Sequence, residues 1–395
     1  MKEKYLVSGG AGFIGANYVR MLASRADAPE ITVVDALTYA GNLENISDEI
    51  ERGEVRFVHA DIRDVEAMWR LMSEVRPDVI VHFAAESHVD RSIDGPTPFV
   101  LTNICGSQTL LECARRLRAE EKASGQTPSL RRFVHVSTDE VYGHLAIDAP
   151  EGRGLGMELA GRLGRTEEPV AYGSEVFTES TPLDPTSPYS ASKASSDMMA
   201  LAYFRTFGLP VSVTRCSNNY GPYQFPEKLI PLMINNILEG KTLPVYGEGL
   251  NVRDWLHVDD HCRAIDAVIA RGEAGEVYNI GGFNERRNID LVRELISTVR
   301  ELVSEDARYA ALSALAPEDI NDSLIRFVGD RPAHDARYAI DSTKIMDSTG
   351  WRPLTDIARG GLRETVRWYL DNRGWVEKIV NGDYRNYYSK MYSSR

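Results

Sequence analysis

Tyr5-Leu-Val-Ser-Gly-Gly-Ala-Gly-Phe-Ile-Gly15 opens as a short strand and runs directly into glycines at every third position, Gly9, Gly12 and Gly15. Beyond it the pattern predicts an amphipathic helix from Ala16 to about Ser24 and a second strand, Ile31-Thr-Val-Val-Asp35. Strand, glycine turn, helix and strand in that order are the context in which such glycines work together. Gly9 allows the tight turn, Gly12 lets the backbone approach a pyrophosphate, and Gly15 permits close packing of helix on strand. The amino terminus of the helix then offers free N–H groups and a favourable dipole to the phosphates. Asp35 ends the second strand 20 residues after Gly15. A carboxylate there accepts both adenosine ribose hydroxyls and repels a 2′-phosphate. The stretch points to a bound dinucleotide, NAD rather than NADP.

Working outward, the β/α rhythm continues. Val55-Arg-Phe-Val-His-Ala-Asp61 is a predicted strand ending in an acid suited to the adenine edge, and Val65 to Val75 a helix. Asp78-Val-Ile-Val-His-Phe-Ala-Ala85 is apolar almost throughout, as parallel strands covered on both faces are. Pro98 to about Glu120 is a long predicted helix carrying Thr102 and Asn103, and Arg132 to Val136 a further strand. Such alternation gives an α/β fold with a doubly wound parallel, Rossmann-like sheet. After Ser217 the rhythm breaks, which predicts a smaller α/β substrate lobe. Val277-Tyr-Asn-Ile-Gly281 reads as a strand rejoining the first sheet, so the lobes interleave in sequence. The expected division is 1–216 with 250–283 for NAD, and 217–249 with 284–395 for substrate.

Composition narrows the function. The chain has 395 residues, 43% hydrophobic and 26% charged, an ordinary globular profile. No apolar run approaches the roughly 18 residues that span a bilayer. Met-Lys-Glu-Lys leads straight into a strand, so no secretory signal is expected. A net charge of −13 argues against a nucleic-acid surface. Cys105, Cys113, Cys216 and Cys262 form no C-x-x-C pair and read as buried reduced thiols, which places the chain in the cytoplasm.

Two further stretches carry chemistry. Arg132-Phe-Val-His-Val-Ser-Thr-Asp-Glu-Val-Tyr-Gly143 puts a hydroxyl pair, Ser137-Thr138, and two acids, Asp139-Glu140, at the carboxyl end of a strand. In open parallel sheets that edge is where ligands bind. Tyr189-Ser-Ala-Ser-Lys193 opens a helix to about Phe207, with Tyr and Lys on one face. A phenol of pKa near 10 is a poor base at neutral pH. A neighbouring ammonium and a cationic nicotinamide ring both favour its phenolate.

With these motifs, and with Ala84-Ala-Glu-Ser-His-Val-Asp-Arg-Ser92, Ser217-Asn-Asn-Tyr-Gly-Pro222, Pro226-Glu-Lys-Leu-Ile-Pro231, Arg253-Asp-Trp-Leu-His-Val-Asp-Asp260 and Gly329-Asp-Arg-Pro-Ala-His334, the chain resembles the extended short-chain dehydrogenase/reductases. Within that group it is most similar to the nucleotide-sugar 4,6-dehydratases. The resemblance implies a hydro-lyase that oxidises C4 of dTDP-glucose with NAD, eliminates water across C5 and C6, and returns the hydride to C6. The product is dTDP-4-dehydro-6-deoxyglucose, and a homodimer is implied.

By the same resemblance, Tyr189 removes the C4 hydroxyl proton, Thr138 bonds the same oxygen, and Lys193 binds the nicotinamide ribose. Asp139 protonates the departing C6 oxygen and Glu140 takes the C5 proton. The cofactor contacts implied are Gly9, Gly12, Phe13, Ile14 and Gly15, then Asp35, Leu37 and Thr38, then Asp61, Ile62, Ala84 and Thr102, with Tyr189 and Lys193. For the substrate they are Ser87, Thr138, Asn218, Lys228 and Leu229, with Pro244 and Tyr246 flanking the base, and Arg253, Asn288, Arg331 and His334 completing the site.

An acidic protein that holds a diphosphate needs focused positive charge. Lys228, Arg253, Arg331, His334 and Arg337 supply it in the sequence. His257 and His261 are not read as a metal pair, because His257 ends a strand while Asp259-Asp260 cap the next helix. Residues 146–179 read as an inserted loop after the active-site strand that either covers substrate or decorates the surface. Residues 301–322 read as an extended helix and connection. Ala333 stands where the family usually has glycine, with little expected to follow. The tail from Trp368 to Tyr392 is predicted helical, then tyrosine-rich and folded back on the substrate lobe. Two alternatives stay open: a dehydratase or C4 epimerase of a UDP- or CDP-sugar, and a catalytically silent NAD-binding regulator.

Overall fold

Alternation within each central strand sends side chains to two different cores, and that requires helices on both faces of the sheet. In the computed structural model, which describes residues 2–380, the strands are β1 (Lys4–Ser8), β2 (Glu30–Asp35), β3 (Val55–His59), β4 (Val79–His82), β5 (Arg132–Thr138), β6 (Val211–Cys216) and β7 (Val277–Ile280). Their order is β7-β6-β5-β4-β1-β2-β3 and every pairing is parallel. Tyr5, Val7, Val33, Val81 and Val136 face one core, closed by α1 (Phe13–Ala23) and by Val258–Arg271. Leu6, Val34, Ile80 and Phe133 face the other, closed by the helices Val65–Val75, Ser107–Ala123 and Pro188–Phe207. The order reverses between β1 and β4, and in such sheets the crevice beyond that point takes the ligand. The expected return of the chain to this sheet is seen in β7.

The expected helix boundaries shift where backbone geometry overrides pattern. Helix α1 begins at Phe13 rather than Ala16, because Gly12 is extended and already caps it. The helix expected from Pro98 runs from Thr97 to Ala123 and contains a π-helical segment, Val100–Gly106. There Gly106 leaves room for Ile62, whose Cδ1 would lie 2.6 Å from an added Cβ. The wide turn carries Thr102 to the cavity described below. It also aims Asn103 at the backbone N–H and carbonyl of Glu86, at 2.8 and 2.9 Å. Cys105 lies on its outward face and is exposed, unlike Cys113, Cys216 and Cys262, which corrects the expectation of four buried thiols.

A second apolar cluster is built by the helices Leu229–Leu238, Asn288–Glu305 and Leu362–Asp371. Its strands Asn218–Tyr220, Val252–His257 and Glu285–Arg287 form a three-stranded sheet, and Leu243–Tyr246 pairs with Ile325–Val328. The helix ending at Glu305 is followed by a short one, Ala307–Ala310. Near the carboxyl end of the described residues, Trp375 donates to Asn45 Oδ1 at 2.8 Å, reaching across to the first lobe. The tyrosine-rich segment expected up to Tyr392 lies outside the described residues.

Residues 146–179 are not a loose loop over the site. Gly143, at φ 88°, turns the chain off the end of β5. The insertion then folds as a small hairpin, Arg153–Gly154 with Val170–Ala171, around the helix Met157–Leu163. Arg165 ties it down, donating to the carbonyls of Phe283 and Gly282 at 2.7 and 2.8 Å. No residue of this segment lines the cavity of the site.

Arg337 also departs from expectation. It is fully buried and pairs with both oxygens of Glu285 at 2.8 Å, while donating to the carbonyls of Gly173 and Glu175. It therefore anchors the insertion and contributes nothing to a diphosphate cluster. Arg337→Met leaves Glu285 buried without its cation. The expected loss is about 3–5 kcal/mol in urea unfolding, as for broken buried pairs.

The helix after His257 is capped by His257 itself, which accepts from the Asp259 N–H, rather than by Asp259-Asp260. Asp260 instead accepts from the Leu354 and Thr355 N–H groups, and His261 bonds Asn219 at 3.0 Å.

Candidate active site

Close backbone approach shapes the cofactor end. Gly9 is left-handed, at φ 74°, and a Cβ there would lie 2.5 Å from the Ala84 nitrogen. A Cβ at Gly15 would lie 2.2 Å from the Gly9 carbonyl, so only glycine lets α1 sit this near the turn. Asp35 accepts from the Ala11 N–H at 3.0 Å and the Leu37 N–H at 2.8 Å, tying the glycine turn to the loop after β2.

These groups line one cavity of about 540 Å³ over the carboxyl ends of β1, β2, β4, β5 and β6. Gly9, Gly12, Phe13, Ile14, Gly15, Asp35, Thr38, Asp61, Ile62, Ala84 and Thr102 all face it. Leu37, left-handed at φ 49°, does not, and offers only its N–H to Asp35. Glycines Gly9, Gly12 and Gly15, a carboxylate at the end of β2 and Lys193, all lining one cavity, fit a dinucleotide.

Thr138, Asp139, Glu140, Tyr189 and Lys193 line the same cavity, with Ser87, Asn218 and Lys228 of the expected substrate contacts. Pro188 in the first turn and a Ser187–Ser190 capping box start the helix that carries the tyrosine and lysine. Lys193 donates to the Val136 carbonyl at 2.7 Å, fixing that helix against β5. Burial draws the Lys193 ammonium below its ordinary pKa. Burial and then Glu140 push Tyr189 well above the usual phenol range, while its hydrogen bond with Thr138 pulls the other way.

The two acids stand in different fields. Burial, then Glu140 and Asp254, push Asp139 well above the usual carboxyl range. Its Oδ2 is buried with no partner among the described residues. Glu140 is also raised by burial, but Arg331, Arg253 and Lys228 all draw it back down. Neighbouring carboxyls whose environments differ in this way divide into a proton donor and a proton acceptor.

Of the remaining expected contacts, Leu229, Pro244, Tyr246, Arg253, Asn288, Arg331 and His334 do not line the cavity. Arg253 and Arg331 stand near enough to Glu140 to act on its charge. The Arg253 guanidinium lies 4.2 Å from the centre of the Tyr338 ring and donates to the Asp335 carbonyl. Tyr246 meets His334 edge-on at 5.9 Å. His334 is not part of the positive charge. Burial, Arg331 and Arg253 lower it to about 4, so it is neutral at pH 7. The Asn288 Oδ1 is buried without a partner among the described residues. Ala333 is left-handed, at φ 52°, between Arg331 and His334. The alanine there carries a strain of about 1 kcal/mol, so the departure from glycine does have a consequence.

Several lining residues escape the sequence argument. Tyr39 faces the cavity under the Arg91 guanidinium, 3.9 Å from its ring centre, and Glu227 pairs with Arg91 at 3.0 Å. The only signal for Glu227 is its place beside Lys228, while Tyr39 follows Thr38 with none.

Residues 5–281 match the model of the NAD dependent epimerase/dehydratase family. The chain is 46% identical to a dTDP-glucose 4,6-dehydratase of Shigella flexneri over 99% of both chains. It is 47% identical to that of Neisseria meningitidis serogroup B over 97% of this chain and 98% of the other. Among solved structures, the dTDP-glucose 4,6-dehydratase of Streptomyces venezuelae, which has NAD bound, superposes with a TM-score of 0.77 at 46% identity, covering 95% of this chain and 99% of that one. A UDP-glucose 4-epimerase of Thermotoga maritima is more distant, with a TM-score of 0.72 at 26% identity, covering 93% of this chain and 99% of that one.

Proposed function

The chain belongs to the NAD dependent epimerase/dehydratase family, and we propose that within it the protein is a dTDP-glucose 4,6-dehydratase, an NAD-dependent hydro-lyase. The observation that carries this is the pair Asp139-Glu140 beside Thr138 and Tyr189 in one cavity. Epimerising C4 needs one base and a hydride acceptor; removing water across C5 and C6 needs a further base and acid, and this pair supplies them.

NAD, when bound, supplies the hydride acceptor and a cationic ring that favours the tyrosinate. Tyr189 takes the C4 hydroxyl proton as the C4–H hydride leaves, with Thr138 hydrogen-bonded to the same oxygen. The new C4 carbonyl acidifies C5, and Glu140 removes the C5 proton. Asp139 protonates the C6 oxygen as the C6–O bond breaks, so water leaves and a C5–C6 double bond forms. The hydride then returns to C6 and Glu140 gives its proton back to C5, while the proton taken by Tyr189 replaces the one Asp139 gave, leaving dTDP-4-dehydro-6-deoxyglucose with no net oxidation.

In this reading 1–216 and 250–283 hold NAD, and 217–249 and 284–395 hold the nucleotide. Asn218, Lys228, Leu229, Arg253 and Arg331 meet the diphosphate, Pro244 and Tyr246 the base, and Ser87 the sugar. The unpaired thiols support a reducing, cytoplasmic setting. Among the described residues no helix is long and apolar enough to cross a membrane. Exposed Leu101 and Met198, on neighbouring helices, support a homodimer formed across that face.

The test is incubation with dTDP-glucose, UDP-glucose and CDP-glucose in turn, followed by the alkali-induced absorbance of a 4-keto sugar. The signal is expected with dTDP-glucose. Turnover of another nucleotide sugar without it, or NAD binding with no water loss from any of them, overturns the reading.

A further inference from the structure

Asp90 has no role in the chemistry above, yet it joins three segments of the site. It lies in the first turn of the short helix Val89–Asp94 and is buried. Its Oδ1 accepts from Arg331 Nη1 at 3.3 Å, and its Oδ2 accepts from the Tyr246 hydroxyl at 3.3 Å. Those partners come from the loop near His334 and from the strand Leu243–Tyr246, which are far apart in sequence and share no pairing with Asp90's own helix. The Arg331 Nε is buried and has no partner among the described residues. A guanidinium held by a carboxylate at one nitrogen keeps its remaining donors in a fixed direction, suited to an anion.

A buried carboxylate is a costly way merely to hold a fold together, and apolar packing does that better. What a shared carboxylate does well is fix two polar groups relative to each other before a ligand arrives, which lowers the ordering cost of binding. We propose that Asp90 is a positioning residue for the nucleotide end of the substrate, holding Arg331 for the diphosphate and Tyr246 for the base in one register. This rests on the reading above that Arg331 and Tyr246 face the nucleotide. Asp90 touches neither the reacting atoms nor the cofactor cavity. Its removal therefore weakens nucleotide binding and leaves NAD retention alone.

The probe is dTDP, with binding to the NAD-loaded enzyme followed by calorimetry for wild type, Asp90→Asn, Arg331→Gln and the double variant. Arg331→Gln is expected to weaken dTDP at least about tenfold, and Asp90→Asn about tenfold. In the Arg331→Gln background the effect of Asp90→Asn should shrink to about twofold, because most of it acts through the arginine. With dTDP-glucose, Asp90→Asn should raise KM about tenfold and change kcat by less than about threefold, a split that general loosening of the fold does not give. Should Asp90→Asn fail to fold, Tyr246→Phe removes one of the two contacts and leaves the carboxylate in place; it is expected to weaken dTDP about threefold, and affinity equal to wild type would overturn the proposal. Equal losses in both backgrounds, or dTDP bound by Asp90→Asn as by wild type, overturn the proposal alone. If Arg331→Gln leaves dTDP affinity unchanged, the placement of the nucleotide fails and the proposal with it.

Discussion

Replacing Glu140 by glutamine should stop the reaction after C4 oxidation, slowing product formation by about 10²–10⁴-fold, the usual worth of a positioned base. The amide keeps the shape of the side chain but cannot take the C5 proton. Exchange of C5 hydrogen into deuterated water should fall in parallel with the product. Exchange and product formation near wild-type rates would remove Glu140 from its role. The pH profile gives the sign of each acid separately. Elimination needs Glu140 ionised and Asp139 protonated, so the rate falls on the acid side as Glu140 takes a proton and on the alkaline side as Asp139 loses one. Burial raises Glu140 while Arg331, Arg253 and Lys228 draw it back, and burial and Glu140 itself push Asp139 well up. The window between the limbs is therefore the one in which the pair works. Asp139→Asn should lose the alkaline limb and Glu140→Gln the acid limb, each measured as product against pH. A variant that keeps the limb assigned to its missing acid would show that the two roles are reversed.

Tyr189→Phe should abolish C4 oxidation itself, again by about 10²–10⁴-fold. Tyr189 shares the cavity with Thr138 and Lys193, whereas Arg331 and Tyr246, proposed for the nucleotide end, do not line it. The affinity for dTDP should therefore stay within about twofold of wild type, which separates lost chemistry from lost binding. Burial and Glu140 hold the phenol well above its ordinary pKa in the protein alone. Lys193, fixed by the Val136 carbonyl at 2.7 Å, is the cation proposed to ease removal of the phenol proton. Oxidation of dTDP-glucose by Tyr189→Phe at near wild-type rate would assign the base to another group.

The glycine turn shows why the cofactor end was legible from residues alone. Its constraints are local: a left-handed Gly9 and a Gly15 with 2.2 Å between its missing Cβ and a carbonyl one turn away are consequences of a few adjacent residues. Period-two apolar runs likewise decide which strands are buried on both faces, and they do so without reference to the rest of the chain. The identity of the acids after β5 and the tyrosine–lysine spacing are also local, so the reaction class could be argued before any contact was known. Charge was less legible. Arg337 and Arg331 look alike in the sequence, but one is sealed against Glu285 and the other leans on Asp90 at the site's edge. His334 counts as a base in a list of residues and is neutral where it sits.

The sequence by itself thus determined the doubly wound sheet and the dinucleotide end, because backbone sterics and side-chain periodicity act over a few residues, while the roles proposed for Thr138, Asp139, Glu140, Tyr189 and Lys193 follow from the family resemblance. Only the tertiary structure decided where the 146–179 insertion goes, which cations reach Glu140, and that Asp90 joins Arg331 to Tyr246. Those outcomes depend on burial and on partners distant in the sequence, and burial is what turns a titratable side chain into a proton donor, an acceptor or a silent part of the core.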